Sequence, residues 1–309
     1  MQTYKHRCAV LGKPIAHSLS PVLHMAAYQR LGLLQWQYER CEVGVDNLEQ
    51  FLDSLDSQWA GLSLTMPLKK AVMSLGKPSD TWSSKLGVAN TAILDWSMSP
   101  QTPTISLYNT DVQGIATALK HHSCNQRCAD SKNPAVLAPV KNDIQNFHTA
   151  LLLGNGSTAT SALAACIELG IEDVLICARH PEKSTALLDL AAQFNIACAV
   201  KPLTEAATNT SGKDVVISTL PAHAADVFAG QLLESSKGIH GGVFLDVVYD
   251  PRPTASMNAW RALGAQAIGG EMMLLYQAIP QVALMTKLGE QGLPADIDAA
   301  MLQALQEVL

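Results

Sequence analysis

Isolated polar residues stand at three places in the first part of the chain: just beyond a strand candidate, within an apolar segment, and at a turn before a helical pattern. LSLTMPLKK carries Thr65 and Lys69, LGVANTAI carries Asn90, and LYNTDVQG carries Asp111. If the apolar runs are strands of a parallel sheet, their carboxyl ends meet at the edge of the sheet that faces ligands. A lysine, an amide and a carboxylate that converge there suit hydride transfer, which needs a proton donor at the developing alkoxide and a partner to orient it.

Each of these residues also has a purely structural interpretation. Asp111 can cap a helix that begins near Val112. Lys69 can be a surface residue like Lys70 beside it, and Asn90 can satisfy backbone groups in a turn. Spacing alone does not show that the three side chains meet.

The segment GKPIAHSLSP, which begins at Gly12, places Ser18 and Ser20 just before Pro21 and an apolar helical pattern. Serine ahead of proline and a helix is typical of a helix N-terminus. The two hydroxyls therefore either cap the helix or hold a ligand, and the local sequence leaves both interpretations open.

A glycine-rich turn follows the apolar run ALLL in the second half of the chain. LLLGNGSTATSA has a G-x-G-x-x-A pattern and opens an alanine-rich helix. In a dinucleotide site the first glycine permits the tight turn, the second lets the backbone approach a pyrophosphate, and the third small residue keeps the helix close to the strand. We therefore predict a dinucleotide site rather than a turn without a ligand. The residues predicted to contact the cofactor in this turn are Gly154, Asn155, Gly156, Ser157 and Thr158.

The end of the next predicted strand distinguishes the two nicotinamide cofactors. An NAD site carries Asp or Glu there to bind the ribose hydroxyls. ICARHPEKS instead has Ala178 and Arg179, with Lys183 close behind. Two cations can hold a 2′-phosphate, whereas the alternative is a solvated arginine at a strand end. The sequence therefore favours NADP over NAD.

The apolar patterns place these residues on two α/β domains. RCAVLG, WQYERCEV and WAGLSLTMP are strand candidates separated by helical patterns, which predicts a parallel α/β sheet. The pattern fades over 122–150, a linker or insertion, and resumes as strand, glycine turn, helix and strand. DVVISTLP and GVFLDVVYDP are further strand candidates, and two helical stretches, 271–287 and 294–308, close the chain.

Composition excludes several classes of protein. The 309 residues carry a net charge of −6 with 16% charged residues, so a basic face for nucleic acid is not expected. The sequence has no apolar run of the ~18–20 residues that span a bilayer, and MQTYKHRCAVLG lacks the apolar run of a signal peptide. We expect a soluble, cytoplasmic protein. HHSCNQRC at 121–128 matches no zinc pattern well, so we expect a solvated helix end and no metal.

Seven ordered motifs resemble those of shikimate dehydrogenase, the NADP-dependent enzyme of aromatic amino-acid biosynthesis. In this sequence they read GKPIAHSLSP, SLTMPLK, GVANT, YNTDVQG, ARHPEK, DVVYDPRPT and GGEMMLLYQA. The resemblance implies an α/β fold of two domains: a substrate domain at 1–115 completed by helices from 272–309, and a Rossmann-like NADP domain at 116–271. It also implies an active site in the cleft between them, the reversible reduction of 3-dehydroshikimate by NADPH, and a monomer or a homodimer.

The resemblance also implies a role for each matching residue. Lys69 and Asp111 match the catalytic acid/base pair. The positions that match substrate contacts are Ser18 and Ser20 at the carboxylate, Thr65, Asn90 and Gln277 at the ring hydroxyls, and Tyr249 beside the nicotinamide. The positions that match cofactor contacts are Val247 and Gly270 at the nicotinamide, with Ala178, Arg179 and Lys183 at the adenosine end.

The sequence departs from the family pattern at several positions. Ser63 replaces an asparagine, Ser157 replaces a glycine, and Ala178 replaces an asparagine before Arg179. Glu271 places a carboxylate beside the expected nicotinamide edge and matches no family role. Two alternatives remain open: a dual quinate/shikimate dehydrogenase, which tends to carry threonine in place of the second serine and to prefer NAD, and a non-catalytic NADPH-binding homologue.

Overall fold

The computed structural model describes residues 4–128, 147–235 and 242–309, with only the backbone over 122–128. It divides into two compact units. The first comprises Met1–Asp111 and Leu274–Leu309, and the second comprises Val112–Met273. The predicted linker at 122–150 falls mostly outside the described residues.

The first unit has a six-stranded sheet in the order β2-β1-β3-β5-β6-β4. Its strands are β1 (His6–Gly12), β2 (Trp36–Glu42), β3 (Trp59–Leu64), β4 (Lys77–Pro78), β5 (Thr91–Asp95) and β6 (Thr104–Tyr108). Its helices are α1 (Ser20–Arg30), α2 (Leu48–Asp53), α3 (Leu68–Ala71) and α4 (Thr81–Leu86), and the chain returns to it through α10 (Gly270–Met285) and α11 (Ile297–Gln306).

This sheet is mixed, so the prediction of a parallel sheet is wrong for part of it. Strand β1 pairs in parallel with β2 and β3, but β5 pairs antiparallel with β3 and with β6. Strand β5 ends at Asp95 and β6 begins at Thr104. A parallel crossover needs about a dozen residues or more, so this short connection forces an antiparallel pair.

Helix α1 packs against the last helix of the chain, α11, within the first unit. It begins with Pro21 in its first turn, where proline's missing amide hydrogen costs nothing, and it buries Leu23, Ala27 and Tyr28 on one face. The Arg30 guanidinium makes a bidentate contact with the Asp296 carboxylate at the start of α11. Its shortest hydrogen bond joins a terminal nitrogen to Oδ1 at 2.7 Å.

The second unit has a sheet of six parallel strands in the order β12-β11-β10-β7-β8-β9. They are β7 (Thr149–Leu153), β8 (Asp173–Ala178), β9 (Ala197–Pro202), β10 (Val215–Ser218), β11 (Val243–Asp246) and β12 (Gln266–Ile268). The helices are α5 (Asp111–Cys128), α6 (Ser157–Glu168), α7 (Thr185–Gln193), α8 (Asp226–Glu234) and α9 (Ala255–Ala262). The order reverses between β7 and β10, as in dinucleotide-binding folds.

Buried apolar runs explain why this second sheet is parallel. Ala150–Leu153 of β7 are fully buried, as expected for strands covered by helices on both faces. On one face Phe244 of β11 stacks on Trp260 of α9, with ring centres 5.3 Å apart. The α/β elements expected from GVFLDVVYDP and the glycine turn are thus confirmed.

Two expected absences can be compared with the described residues. None of the described helices is both long and apolar enough to cross a bilayer. The described side chains include no group of three or more residues arranged to hold a metal ion. The segment 121–128 is the end of helix α5, and its side chains after His121 lie outside the described residues.

Candidate active site

Lys69 and Asp111 form a buried ion pair in the first unit. Lys69 lies in the short helix α3 just after β3, and Asp111 begins α5 just after β6. Lys69 Nζ lies 2.5 Å from Asp111 Oδ2, and the two side chains are only 13% and 5% exposed. The interpretation of Lys69 as a surface residue like Lys70 is therefore wrong.

Asn90 ties this pair to a second amide. Its Nδ2 donates to Asp111 Oδ1 at 2.8 Å, to Thr110 Oγ1 at 2.9 Å and to Gln277 Oε1 at 3.2 Å. Its Oδ1 accepts from the Thr110 amide at 2.8 Å. The structure thus brings together one lysine, one carboxylate and two amides, and Gln277 reaches the cluster from helix α10.

Ser18 and Ser20 lie together at the start of helix α1, and neither is its N-cap residue. The N-cap position is Leu19, and no side chain caps it. Both serines are 4% exposed, and Ser18 Oγ donates to Ser20 Oγ at 3.3 Å. The Arg40 guanidinium donates through Nε to the carbonyl of Ser18 at 2.7 Å and holds the loop. Ser18 Oγ also accepts from the amide of Ser20, the first residue of α1, at 3.4 Å, so a contact with the helix start coexists with two neighbouring hydroxyls that suit an anion.

Thr65 follows β3 at the carboxyl end of the same sheet. Its amide donates to the carbonyl of Leu11 at 2.9 Å, which continues the pairing of β3 with β1. Its side-chain methyl lies against Gly12, where any added β-carbon would overlap it. Gly12, the first residue of the GKPIAHSLSP motif, therefore allows Thr65 to stand at the strand end.

Gln281, a residue that the sequence analysis missed, is the centre of a buried hydrogen-bond network under this cluster. It is 1% exposed. Its Nε2 donates to Thr91 Oγ1 at 2.8 Å and to the carbonyl of Asn90 at 3.2 Å. Its Oε1 accepts from Ser63 Oγ at 2.8 Å and lies 3.2 Å from His24 Nε2. One side chain of α10 thereby fixes β3, β5 and α1.

The network continues to β2 through Tyr38. The Tyr38 hydroxyl donates to Ser63 Oγ at 2.6 Å. The sequence offered one signal for this network: Gln281 stands four residues after Gln277 in an otherwise apolar helix, so both amides face the same side. It gave no signal for the partners, which come from distant strands.

The glycine turn of the second unit has the geometry of a phosphate site. Gly154 has φ +108°, and a β-carbon there would overlap the Thr219 side chain. A β-carbon at Gly156 would instead meet open space, so a phosphate can approach this backbone and the first amides of α6. Ser157 and Thr158 form the half-exposed first turn of α6. These residues fit a dinucleotide pyrophosphate.

The side chain of Asn155 holds the glycine turn in place. Its Nδ2 donates to the carbonyl of His180 at 2.8 Å and to Ser184 Oγ at 3.0 Å. The side chain thus ties the glycine turn to the loop after β8. In that loop Arg179 is exposed, while the Glu182 carboxylate contacts His180 Nδ1 at 3.2 Å.

Arg179 and Lys183 both follow β8, which ends at Ala178. Both cations are exposed, and Ala178 is buried within the strand. At the other half of the sheet, Gly270 touches the loop after β11, because an added β-carbon would overlap the carbonyl of Val247. Tyr249 is half-buried in that same loop, and its contact with substrate stays a prediction.

Comparison with known proteins identifies the family. Residues 10–92 match the model of the shikimate dehydrogenase substrate binding domain, and residues 138–256 match that of shikimate / quinate 5-dehydrogenase. The chain is 32% identical to the NADP(+) shikimate dehydrogenase of Methanothrix thermoacetophila, over 96% of both chains. It belongs to the shikimate dehydrogenase family.

Solved structures of shikimate dehydrogenases support the same assignment. The structure of the Mycobacterium tuberculosis enzyme has a TM-score of 0.78 and a sequence identity of 33%. The match covers 98% of this chain and 99% of that chain. That of Thermus thermophilus, in complex with NADP(H) and shikimate, has a TM-score of 0.73 at 26% identity, with coverage of 98% and 100%. The predicted two-domain α/β class of the shikimate dehydrogenase fold is confirmed.

The network around His24 predicts an acid-dependent loss of stability. His24 is fully buried, and its ring stacks on that of Tyr38 with ring centres 3.9 Å apart. Its Nδ1 has no hydrogen-bond partner among the described residues. Burial lowers the pKa of His24 to about 3, partly offset by its hydrogen bond to Gln281. The unfolded chain takes up this proton near pH 6.5, whereas the folded chain resists it. Stability contributed by neutral His24 is therefore present above pH 6.5 and is lost towards pH 3.

We expect His24→Phe, which keeps a ring against Tyr38, to abolish this contribution. The free energy of unfolding of the unsubstituted protein, minus that of the variant, should fall by up to about 1.4 kcal/mol for each pH unit below 6.5. Urea titrations between pH 7.5 and 4.5 measure this difference. Tyr28 and Tyr38 do not add to it, because burial raises the pKa of both phenols. A difference that is constant with pH would show that His24 does not resist protonation in the folded protein.

Proposed function

We propose that this protein is an NADP-dependent shikimate dehydrogenase, which reduces 3-dehydroshikimate reversibly to shikimate with Lys69 and Asp111 as the acid/base pair. The observation that carries the proposal is the buried contact between Lys69 Nζ and Asp111 Oδ2, bonded in turn to Asn90. The NADP(+) enzymes among its relatives support the choice of cofactor.

NADPH supplies the hydride when it is bound, and the residues of the first unit supply and hold the proton. As the carbonyl oxygen of the substrate becomes an alkoxide, Lys69 donates a proton to it from Nζ. Asp111 holds the ammonium group in place through its 2.5 Å contact, and Asn90 fixes the carboxylate from its other oxygen. In the reverse direction Lys69 takes the proton from the hydroxyl.

Further residues are assigned to the ring of the substrate. Ser18 and Ser20 are assigned to the carboxylate, because their buried hydroxyls lie side by side at the start of α1. Thr65, Asn90 and Gln277 are assigned to the ring hydroxyls, and Tyr249 is assigned to the substrate beside the nicotinamide. A fixed set of donors and acceptors lowers the cost of aligning substrate and acid.

In the second unit we assign the pyrophosphate to the glycine turn and the 2′-phosphate to Arg179 and Lys183. Arg179→Gln should therefore raise the Kd of NADPH about tenfold or more, since a charge-assisted contact to phosphate is lost. The Kd of NADH, which lacks that phosphate, should stay unchanged and serves as the internal control. Isothermal titration measures both. Equal weakening of the two cofactors would remove Arg179 from the phosphate site.

Initial rates with four pairs, shikimate or quinate with NADP or NAD, test the proposed specificity. We expect the fastest oxidation with shikimate and NADP, whereas faster oxidation of quinate with NAD would favour the quinate dehydrogenase alternative. Quinate carries an extra hydroxyl at the carbon that bears the carboxylate, next to the assigned position of Ser20.

Ser20→Thr should shift the ratio of kcat/KM values towards quinate, because it changes the hydroxyl nearest to that extra group. The shift should be about tenfold, the usual scale for altering one small contact in a binding pocket. Ser54→Thr is the control. Ser54 is exposed, is assigned to no substrate contact, and donates to the carbonyl of Phe51. An unchanged ratio in Ser20→Thr would refute the specificity assigned to Ser20.

A further inference from the structure

Glu271 is a buried carboxylate that the proposed reaction does not use. It lies in the first turn of α10 and is 8% exposed. Its Oε1 is 3.5 Å from Nε of Arg252. Its Oε2 is buried and has no hydrogen-bond donor among the described residues. A buried carboxylate oxygen without a donor is costly, so a ligand donor that reaches the remaining exposed part of this carboxylate would stabilise it.

The strand order places Glu271 at one half of the dinucleotide site. The order reverses between β7 and β10, and a dinucleotide lies across that point with its pyrophosphate at the start of α6. The adenosine half then lies over β8, where Arg179 is. The nicotinamide half must extend the other way, over the carboxyl ends of β10, β11 and β12. Strand β12 ends at Ile268, three residues before Glu271.

The carboxylate lies against the strand end itself. The amide of Gly270 donates to the carbonyl of Val248 at 3.3 Å, so the loops after β11 and β12 are in backbone contact. A β-carbon added at Gly269 would overlap the carboxylate of Glu271. The side chain therefore folds back over the glycine pair, at the edge of the sheet where the nicotinamide half must lie.

The two forms of the cofactor differ at this half of the molecule. The oxidised nicotinamide ring carries a positive charge that the reduced ring lacks, while both carry a carboxamide with N–H donors. A nearby carboxylate attracts the charged ring more than the neutral one. Arg252 offsets part of this attraction, because its guanidinium lies beside the same carboxylate.

We propose that Glu271 accepts a hydrogen bond from the nicotinamide carboxamide and, through its charge, strengthens the binding of NADP⁺ relative to that of NADPH. This inference rests on the proposed function, since it requires a nicotinamide dinucleotide in the second unit. A carboxylate in the first turn of a helix also stabilises that helix. That structural role alone would change both affinities equally, so the ratio of the two affinities separates the two explanations.

The test is isothermal titration of NADP⁺ and NADPH, each without substrate, into four proteins. In Glu271→Gln, which keeps the size and an acceptor oxygen, the ratio of the Kd of NADP⁺ to that of NADPH should rise about tenfold. Arg252→Gln removes the positive charge beside the Glu271 carboxylate, so the same ratio of Kd values should fall several-fold. Glu172→Gln is the matched control: it removes an exposed carboxylate just before β8, at the amino end of the strand, and should leave the ratio unchanged.

The outcomes separate this inference from the proposed function. If the unsubstituted protein binds both cofactors and neither Glu271→Gln nor Arg252→Gln changes the ratio, the inference is overturned and the proposed function stands. If the unsubstituted protein binds neither cofactor, both are overturned. Circular dichroism checks the folding of each variant. Should Glu271→Gln fail to fold, the direction of the change in Arg252→Gln decides.

Discussion

Lys69→Ala should lower kcat about 10³-fold while leaving the Kd of NADPH nearly unchanged. The substitution removes the proton donor at the alkoxide, and general acid–base catalysis is worth about 10²–10⁴ in rate. The residues assigned to NADPH all lie in the second unit, whereas Lys69 lies in the first. Stopped-flow absorbance of NADPH measures the rate, and isothermal titration measures the affinity.

Lys70→Ala is the matched control for this prediction. Lys70 is the next residue in α3 and is exposed, so its removal should leave turnover within about twofold of the unsubstituted protein, as for most surface substitutions. Methylammonium should restore part of the activity of Lys69→Ala, because it can enter the space left beside Asp111. Turnover that survives in Lys69→Ala would remove Lys69 from the acid/base role.

Gln281→Leu should destabilise the first unit by about 2–4 kcal/mol, since it leaves buried polar groups without partners. The groups that lose Gln281 are Ser63 Oγ, Thr91 Oγ1, His24 Nε2 and the carbonyl of Asn90. Because Asn90 is held by the same network, the KM of the substrate should rise as well. Urea unfolding and steady-state kinetics measure the two effects.

Gln303→Leu provides the control for Gln281→Leu. Gln303 is an exposed glutamine of α11, in the same unit, with one long contact to Glu307 at 3.4 Å. Its substitution should change stability by no more than about 0.5 kcal/mol. Similar stability for the two variants would show that the buried network of Gln281 contributes little.

Local pattern was enough to predict most elements and to single out three polar residues that the structure brings together. The apolar runs gave β1, β3, β7 and β11, because each run is buried and ends at a turn residue. Lys69, Asn90 and Asp111 could be singled out because ligands bind beyond the carboxyl ends of strands in α/β sheets, where these polar side chains were expected. Their meeting was a hypothesis until the structure showed the distances.

The rest depended on contacts between distant parts of the chain. The hairpin of β5 and β6 was missed because short apolar stretches do not reveal which strand they pair with, and this pairing makes the first sheet mixed. Gln281 was missed because a glutamine in a helix looks the same in sequence whether it is buried or exposed. Arg40 was missed for a similar reason: its bond to the carbonyl of Ser18 joins residues 22 positions apart.

The most direct measurement is the consumption of NADPH by the purified protein with 3-dehydroshikimate, with shikimate quantified by chromatography. We expect one molecule of shikimate for each NADPH oxidised, and a rate about 10³-fold lower in Lys69→Ala. No oxidation of NADPH by the unsubstituted protein, or an equal rate in Lys69→Ala, would contradict a shikimate dehydrogenase that uses Lys69 and Asp111.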